Sequence, residues 1–167
     1  KGTSHLLSPY KGKTLGTIVA RFFSNHMLGI DKDYTGYLNY YEGMILAVSI
    51  LTVFAVSYFI VKKSTRVKAL VLTVFLVFLT IMPLTSRILV FTKHSYRWTF
   101  MICFVEALVI GCFLQDVFRE KNRKTVLTGS ILAIVICGGL LAWMYSFKNI
   151  KPDHKVTAGV IGFLAVY

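Results

Sequence analysis

Apolar residues in this chain arrive in blocks of about 20, and nearly all the charges fall between the blocks. No other feature constrains the fold as strongly. A helix needs about 20 apolar residues to cross the hydrocarbon of a bilayer, whereas a soluble domain spreads charge over every element. Composition points the same way. A soluble domain is about 45–50% apolar and about 25% charged; this chain is 56% hydrophobic and 16% charged, with a mean hydropathy of +0.66. The expected fold is all-α, a polytopic transmembrane helical bundle.

Four full spans and the start of a fifth are predicted, over residues 43–61, 69–90, 98–118, 126–147 and 156–167, with Pro83 breaking the second. The loops set the orientation. Lys62, Lys63, Arg66 and Lys68 follow the first span, and Arg119, Lys121, Arg123 and Lys124 follow the third. The opposite loops carry Arg87, Lys93 and Arg97, and then Lys148, Lys151 and Lys155. Cytoplasmic loops are the richer in Lys and Arg, so the first pair is placed inside. Residues 1–42 then form an outer-face segment, and residues 43–167 the bundle.

That segment holds a further helix. Leu15, Ile18, Val19, Phe22 and Phe23 recur at helical spacing, with Thr14, Thr17, Arg21 and Ser24 largely elsewhere on the wheel. Such a stripe suits an amphipathic helix lying in the membrane interface, or equally one packed against the rest of an outer domain. The tyrosine-rich stretch after it reads as an ordered loop feeding the first span.

The net charge of +12 does not indicate nucleic acid. A nucleic-acid surface needs a basic face on a soluble fold, whereas these cations sit in short loops, as topology and lipid headgroups require. Cys103, Cys112 and Cys137 all lie within apolar runs, where cysteine acts as a small hydrophobe. No spacing suggests a metal, and no cofactor motif is present. The chain starts at Lys1 and stops inside an apolar run, and is expected to be an internal piece of a longer protein.

Three constellations could carry chemistry. Glu106 sits about eight residues into the third span, where an ionised carboxylate costs about 2.5 kcal/mol or more to insert. It should face the bundle interior, as a proton relay, an ion or substrate contact, or simply an interhelical hydrogen bond. Arg97 lies just outside that span beside Trp98, an interface anchor. Its guanidinium offers donors matched to phosphate oxygens, and Arg87, Lys93 and His94 add charge nearby. The outer-face carboxylates are Asp31, Asp33, Glu42 and Asp153. Glu42, beside Tyr41 at the boundary of the first span, could act as a base or pair with a basic loop, but suits a helix N-terminal acid better.

The order of "YLNYYEG", a basic turn, a Pro-broken span and "SYRWTF" resembles the bacterial YfhO-type membrane proteins. The matching residues are Tyr41, Gly43, Arg97, Trp98 and Phe100, within a stretch from about Ser8 to Phe118. The resemblance implies a multi-span, GT-C-like glycosyltransferase of the bacterial cell membrane. It would pass a sugar from a polyprenyl-phosphate donor to a cell-envelope polymer such as lipoteichoic acid, at the outer face. It also implies a catalytic carboxylate in a first outer loop, upstream of Lys1, and arginines holding the lipid phosphate. Glu106 matches no motif of that family. Two further readings remain open: a transporter or flippase for an anionic substrate with Glu106 coupling protons, and a structural subunit without chemistry.

Overall fold

The structure, a computed structural model, describes residues 8–24, 26–37, 50–90, 97–119, 123–148 and 150–166. Among them the fold is all-helical. The helices are α1 (Gly12–Arg21), α2 (Leu51–Val61), α3 (Arg66–Ile81), α4 (Pro83–Val90), α5 (Phe100–Arg119), α6 (Arg123–Tyr145) and α7 (His154–Val166), with short 3-10 turns at Asp31–Asp33 and Arg97–Thr99. Residues 43–49, the expected start of the first span, lie outside the described set.

The sequence of α2, LTVFAVSYFIV, is apolar all round, and a helix with no polar face belongs at the centre of an assembly. It packs against α6, α5 and α3, and buries Thr52, Phe54, Ala55, Ser57 and Tyr58. Small residues let α6 approach closely: its inward stripe is Gly129, Ala133, Cys137, Leu141 and Met144, stepping mostly by four. A methyl at Gly129 would lie 2.8 Å from the Tyr58 Cα, so the two backbones nearly touch. On α5 the buried residues are Ile102, Glu106, Ile110 and Phe113. The Phe113 and Tyr58 rings meet edge to face at 5.3 Å.

One end of the bundle is tied by polar contacts. The last carbonyls of a helix need donors. At α2, Arg66 Nε donates to the Ile60 carbonyl at 3.0 Å, Arg66 Nη2 to Val61 at 3.2 Å, and Thr65 Oγ1 to Phe59 at 3.0 Å. This back-reaching guanidinium explains why α3 starts at Arg66, three residues ahead of the expected 69. Beside the turn, Lys62 Nζ lies 2.8 Å from Asp116 Oδ2, which brings the C-terminal ends of α2 and α5 together. The start of α6 joins them through Gly129. Lys62, Lys63, Arg66, Lys68, Arg119, Arg123 and Lys124 therefore gather at this basic end.

Pro83 breaks the second apolar block as expected. The residue before a proline is driven out of the α region, and Met82 is extended (φ −91°, ψ 123°) between α3 and α4. Proline then opens α4, where its missing N–H costs nothing.

The opposite end is capped by α1. Its residues 16–21 are all buried, including Thr17 and Arg21 at 2% and 3% exposure. Val19, Ala20 and Phe23 pack with Met27, Leu28, Cys137, Leu141, Met144 and Ile150, while Ile18 joins Tyr10, Trp98 and Ile102. The amphipathic helix is packed on protein, though against the bundle and not only against an outer domain: α6 and the α5 entry lie on Val19, Ala20 and Ile18, and the loop at Tyr34 and Tyr37 bonds Arg21 and Thr17 on the side of the wheel assigned to polar residues. The loop after α1 is tied to the segment before α7, with Asp153 N donating to Met27 O at 2.7 Å and Thr35 Oγ1 to Lys151 O at 3.0 Å.

Two helices, Phe100–Arg119 and Arg123–Tyr145, are long and apolar enough to cross a membrane, and only 22% of the most apolar stretch of each is buried.

Candidate functional site

The structure divides the expected site residues into those it describes and those it does not. Tyr41, Glu42, Lys93 and His94 lie outside the described residues, as do the side chains of Arg87 and Arg97. The backbone nonetheless brings two of these positions near one another. α4, which carries Arg87, packs against the Arg97–Thr99 turn, and that turn leads directly into α5. The join sits at the capped end, where Tyr10 N donates to the Ile81 carbonyl at 3.1 Å.

Trp98 differs from expectation. As an interface anchor it would keep its indole edge wet. It is instead 2% exposed, enclosed by Tyr10, Ile18 and Ile102. Its Nε1–H meets no acceptor among the described residues, and neither do Thr52 Oγ1 and Ser57 Oγ. The Arg97–Thr99 turn is thus held by a buried ring.

Glu106 lies two turns beyond Trp98 on the buried face of α5 and is 2% exposed. It is not without an interaction partner there. Its depth follows from the ion pair. α2 and α5 both run toward the basic end, with Lys62 level with Asp116. Ten residues back on each helix are Thr52 and Glu106, about 15 Å from that pair at 1.5 Å per residue. A carboxylate at that depth is costly unless hydrogen-bonded or protonated. The arrangement can exchange a proton or fix helix register.

Asp153 is resolved in favour of structure. Its Oδ1 accepts from the Lys155 N–H at 2.7 Å, the side-chain cap that starts α7 and satisfies an orphan donor. Asp33 is exposed in its 3-10 turn. Among the described residues no three His, Cys, Asp or Glu side chains converge as metal ligands would.

Arg21 is the residue that sequence reasoning placed on the wrong side of α1. It is 3% exposed, and its Nη2 donates to Tyr34 Oη at 3.4 Å. One turn earlier, Thr17 Oγ1 donates to Lys13 O and accepts from the Tyr37 N–H, both at 2.8 Å. The signal available was the run "TIVARFF", in which apolar neighbours flank the arginine on both sides.

Comparison with protein-family models, with curated proteins and with solved structures finds no match for this chain.

Proposed function

We propose that this chain is part of a polytopic bacterial membrane protein, a glycosyltransferase that takes a sugar from a polyprenyl-phosphate carrier and passes it to a cell-envelope polymer at the outer face. The membrane part of this reading rests on what the helices present outward. Phe104 and Leu108 on α5 and Val135 on α6 are 75%, 68% and 64% exposed, and contiguous apolar surface of this kind marks a lipid or protein contact. Hydroxyls on α3 and α6 turn inward on their own backbone. Thr73 Oγ1 donates to Ala69 O at 2.7 Å and Thr128 Oγ1 to Lys124 O at 2.9 Å, which satisfies them without water. Cations gather at both ends of the bundle and leave its middle bare, as headgroup contact favours.

The transferase part is carried by one observation: the Arg97 turn and the Arg87 helix pack together at the capped end, beside α1. Arginines there would hold the phosphate of a lipid-linked sugar and stabilise charge developing on it as the glycosidic bond breaks. The resemblance of "YLNYYEG" and "SYRWTF" to the YfhO-type proteins supplies the substrate class. A second reading, a transporter or flippase for an anionic substrate, is favoured by Glu106, a buried carboxylate deep in the bundle of the kind that relays protons.

The test is Arg97→Ala in the full-length protein in its native membrane, with sugar incorporation into the envelope polymer as the readout. Loss of transfer at unchanged protein level supports the transferase. Unchanged transfer removes Arg97 from the site and shifts attention to Glu106 and transport.

A further inference from the structure

The basic end of the bundle, remote from Arg97, carries a second binding feature. α3 is a peripheral helix that packs on α2 and α4; Thr80 is its one buried residue. Its open side bears a shallow, wide-open groove of about 390 Å³ lined by Val67, Lys68, Val71, Leu72 and Phe75. Below the groove Val74, Val77 and Phe78 continue the exposed apolar surface. From Val67 to Phe78 this surface runs about 17 Å at 1.5 Å per residue, close to half of the roughly 30 Å hydrocarbon thickness.

The cations at the head of this groove differ in what they are doing. Lys62 is held by Asp116, and Arg66 is spent on the Ile60 and Val61 carbonyls. Lys63 and Lys68 are both exposed and meet no acid among the described residues. Lys63 stands on a turn whose backbone is held, Thr65 N and Arg66 N both donating to the Lys62 carbonyl at 3.1 and 3.0 Å, and Lys68 follows in the first turn of α3. Two exposed lysines that meet no acid among the described residues therefore stand at the basic end of an open apolar strip about one leaflet long. Inorganic anions would leave the strip uncovered, and a zwitterionic lipid would leave the charge uncompensated.

We propose that this groove binds an anionic phospholipid, its phosphate between Lys63 and Lys68 and one acyl chain along Val67, Val71 and Phe75. The inference rests on the membrane reading above but not on the transferase.

The test places a reporter in the groove. The full chain carrying Phe75→Trp is reconstituted in vesicles of phosphatidylcholine and phosphatidylglycerol, with bromine quenchers on the acyl chains of one lipid or the other; the parent chain, with Trp98 and Trp143, gives the background. Each lysine near an anionic surface contributes an attraction that makes a preference of about five- to thirty-fold for the anionic lipid attainable by two. The expected result is such a preference at position 75, falling close to unity in Lys63→Gln/Lys68→Gln. A Val135→Trp reporter, on the exposed face of α6 midway between the two ends, should show no preference. Equal quenching by both lipids at position 75, or a preference that survives the double substitution, overturns the site while leaving the membrane reading intact. Absence of quenching by either lipid overturns both.

Discussion

Replacing Gly129 with alanine puts one methyl group where α6 crosses α2. The added Cβ would lie 2.8 Å from the Tyr58 Cα, 3.1 Å from its N and 3.3 Å from its Cβ. Backbone atoms cannot rotate out of the way, so the helices must part by several tenths of an ångström. That parting loosens Ala133 and Cys137 on the same stripe, both fully buried. Overpacking of this kind costs about 1–3 kcal/mol, and the better helix propensity of alanine returns up to about 1 kcal/mol. The expected net loss is about 1–2 kcal/mol. Gly138 and Gly139 on the same helix have nothing within 4 Å of an added Cβ. Alanine there should be neutral, or stabilising by up to about 1 kcal/mol. The assay is unfolding of the full chain in mild detergent titrated with dodecyl sulfate, followed by far-ultraviolet circular dichroism. If Gly129→Ala matches Gly138→Ala, the close α2–α6 crossing is not what holds the bundle together.

Two smaller substitutions probe the buried acid and the α7 cap. Glu106→Ala should cost about 1–3 kcal/mol in the same unfolding assay, the usual cost of removing one member of a buried polar interaction; Glu106→Gln, which keeps an acceptor and the volume, should retain most of the stability. Equal midpoints for the two variants would show that the polar end of the side chain contributes nothing. Asp153→Ala should lower stability by about 1 kcal/mol, the usual value of an N-cap, and raise amide exchange in the first turn of α7, while Asp153→Asn stays close to the parent.

How much of this was legible in sequence depends on the range of the interactions involved. The helices expected over 98–118 and 126–147 occur as Phe100–Arg119 and Arg123–Tyr145, because length and apolarity are local properties that the chain displays directly. The break at Pro83 was equally local, a clash between the proline ring and Met82. The start of α7 was missed by two residues, since Asp153 acts through a cap rather than through apolar periodicity.

The misplaced residues share a different cause. Trp98 stands beside cations in sequence, which suggested a membrane boundary, but what buries it is Tyr10 and Ile18 on a distant segment. Arg21 falls outside the apolar stripe of its own helix, yet the loop that follows folds back over it, its Tyr34 hydroxyl accepting from the guanidinium. Helical periodicity reports one favourable face; it says nothing about a second face that tertiary packing covers. The candidate site was legible as residue types, and the packing of α4 on the Arg97–Thr99 turn supplied a closeness that spacing could not.

The central claim is that α5 and α6 cross a bilayer, with the α2–α3 turn inside and the α6–α7 connection outside. Cysteine labelling tests it most directly. Lys63→Cys and Lys148→Cys are placed singly in the full-length protein in intact cells, with the parent cysteines as background, and exposed to a membrane-impermeant maleimide. The account predicts labelling at position 148 in intact cells, and at position 63 only after permeabilisation. Labelling of both positions before permeabilisation, or of neither until after it, would contradict a bundle that spans the membrane in this sense.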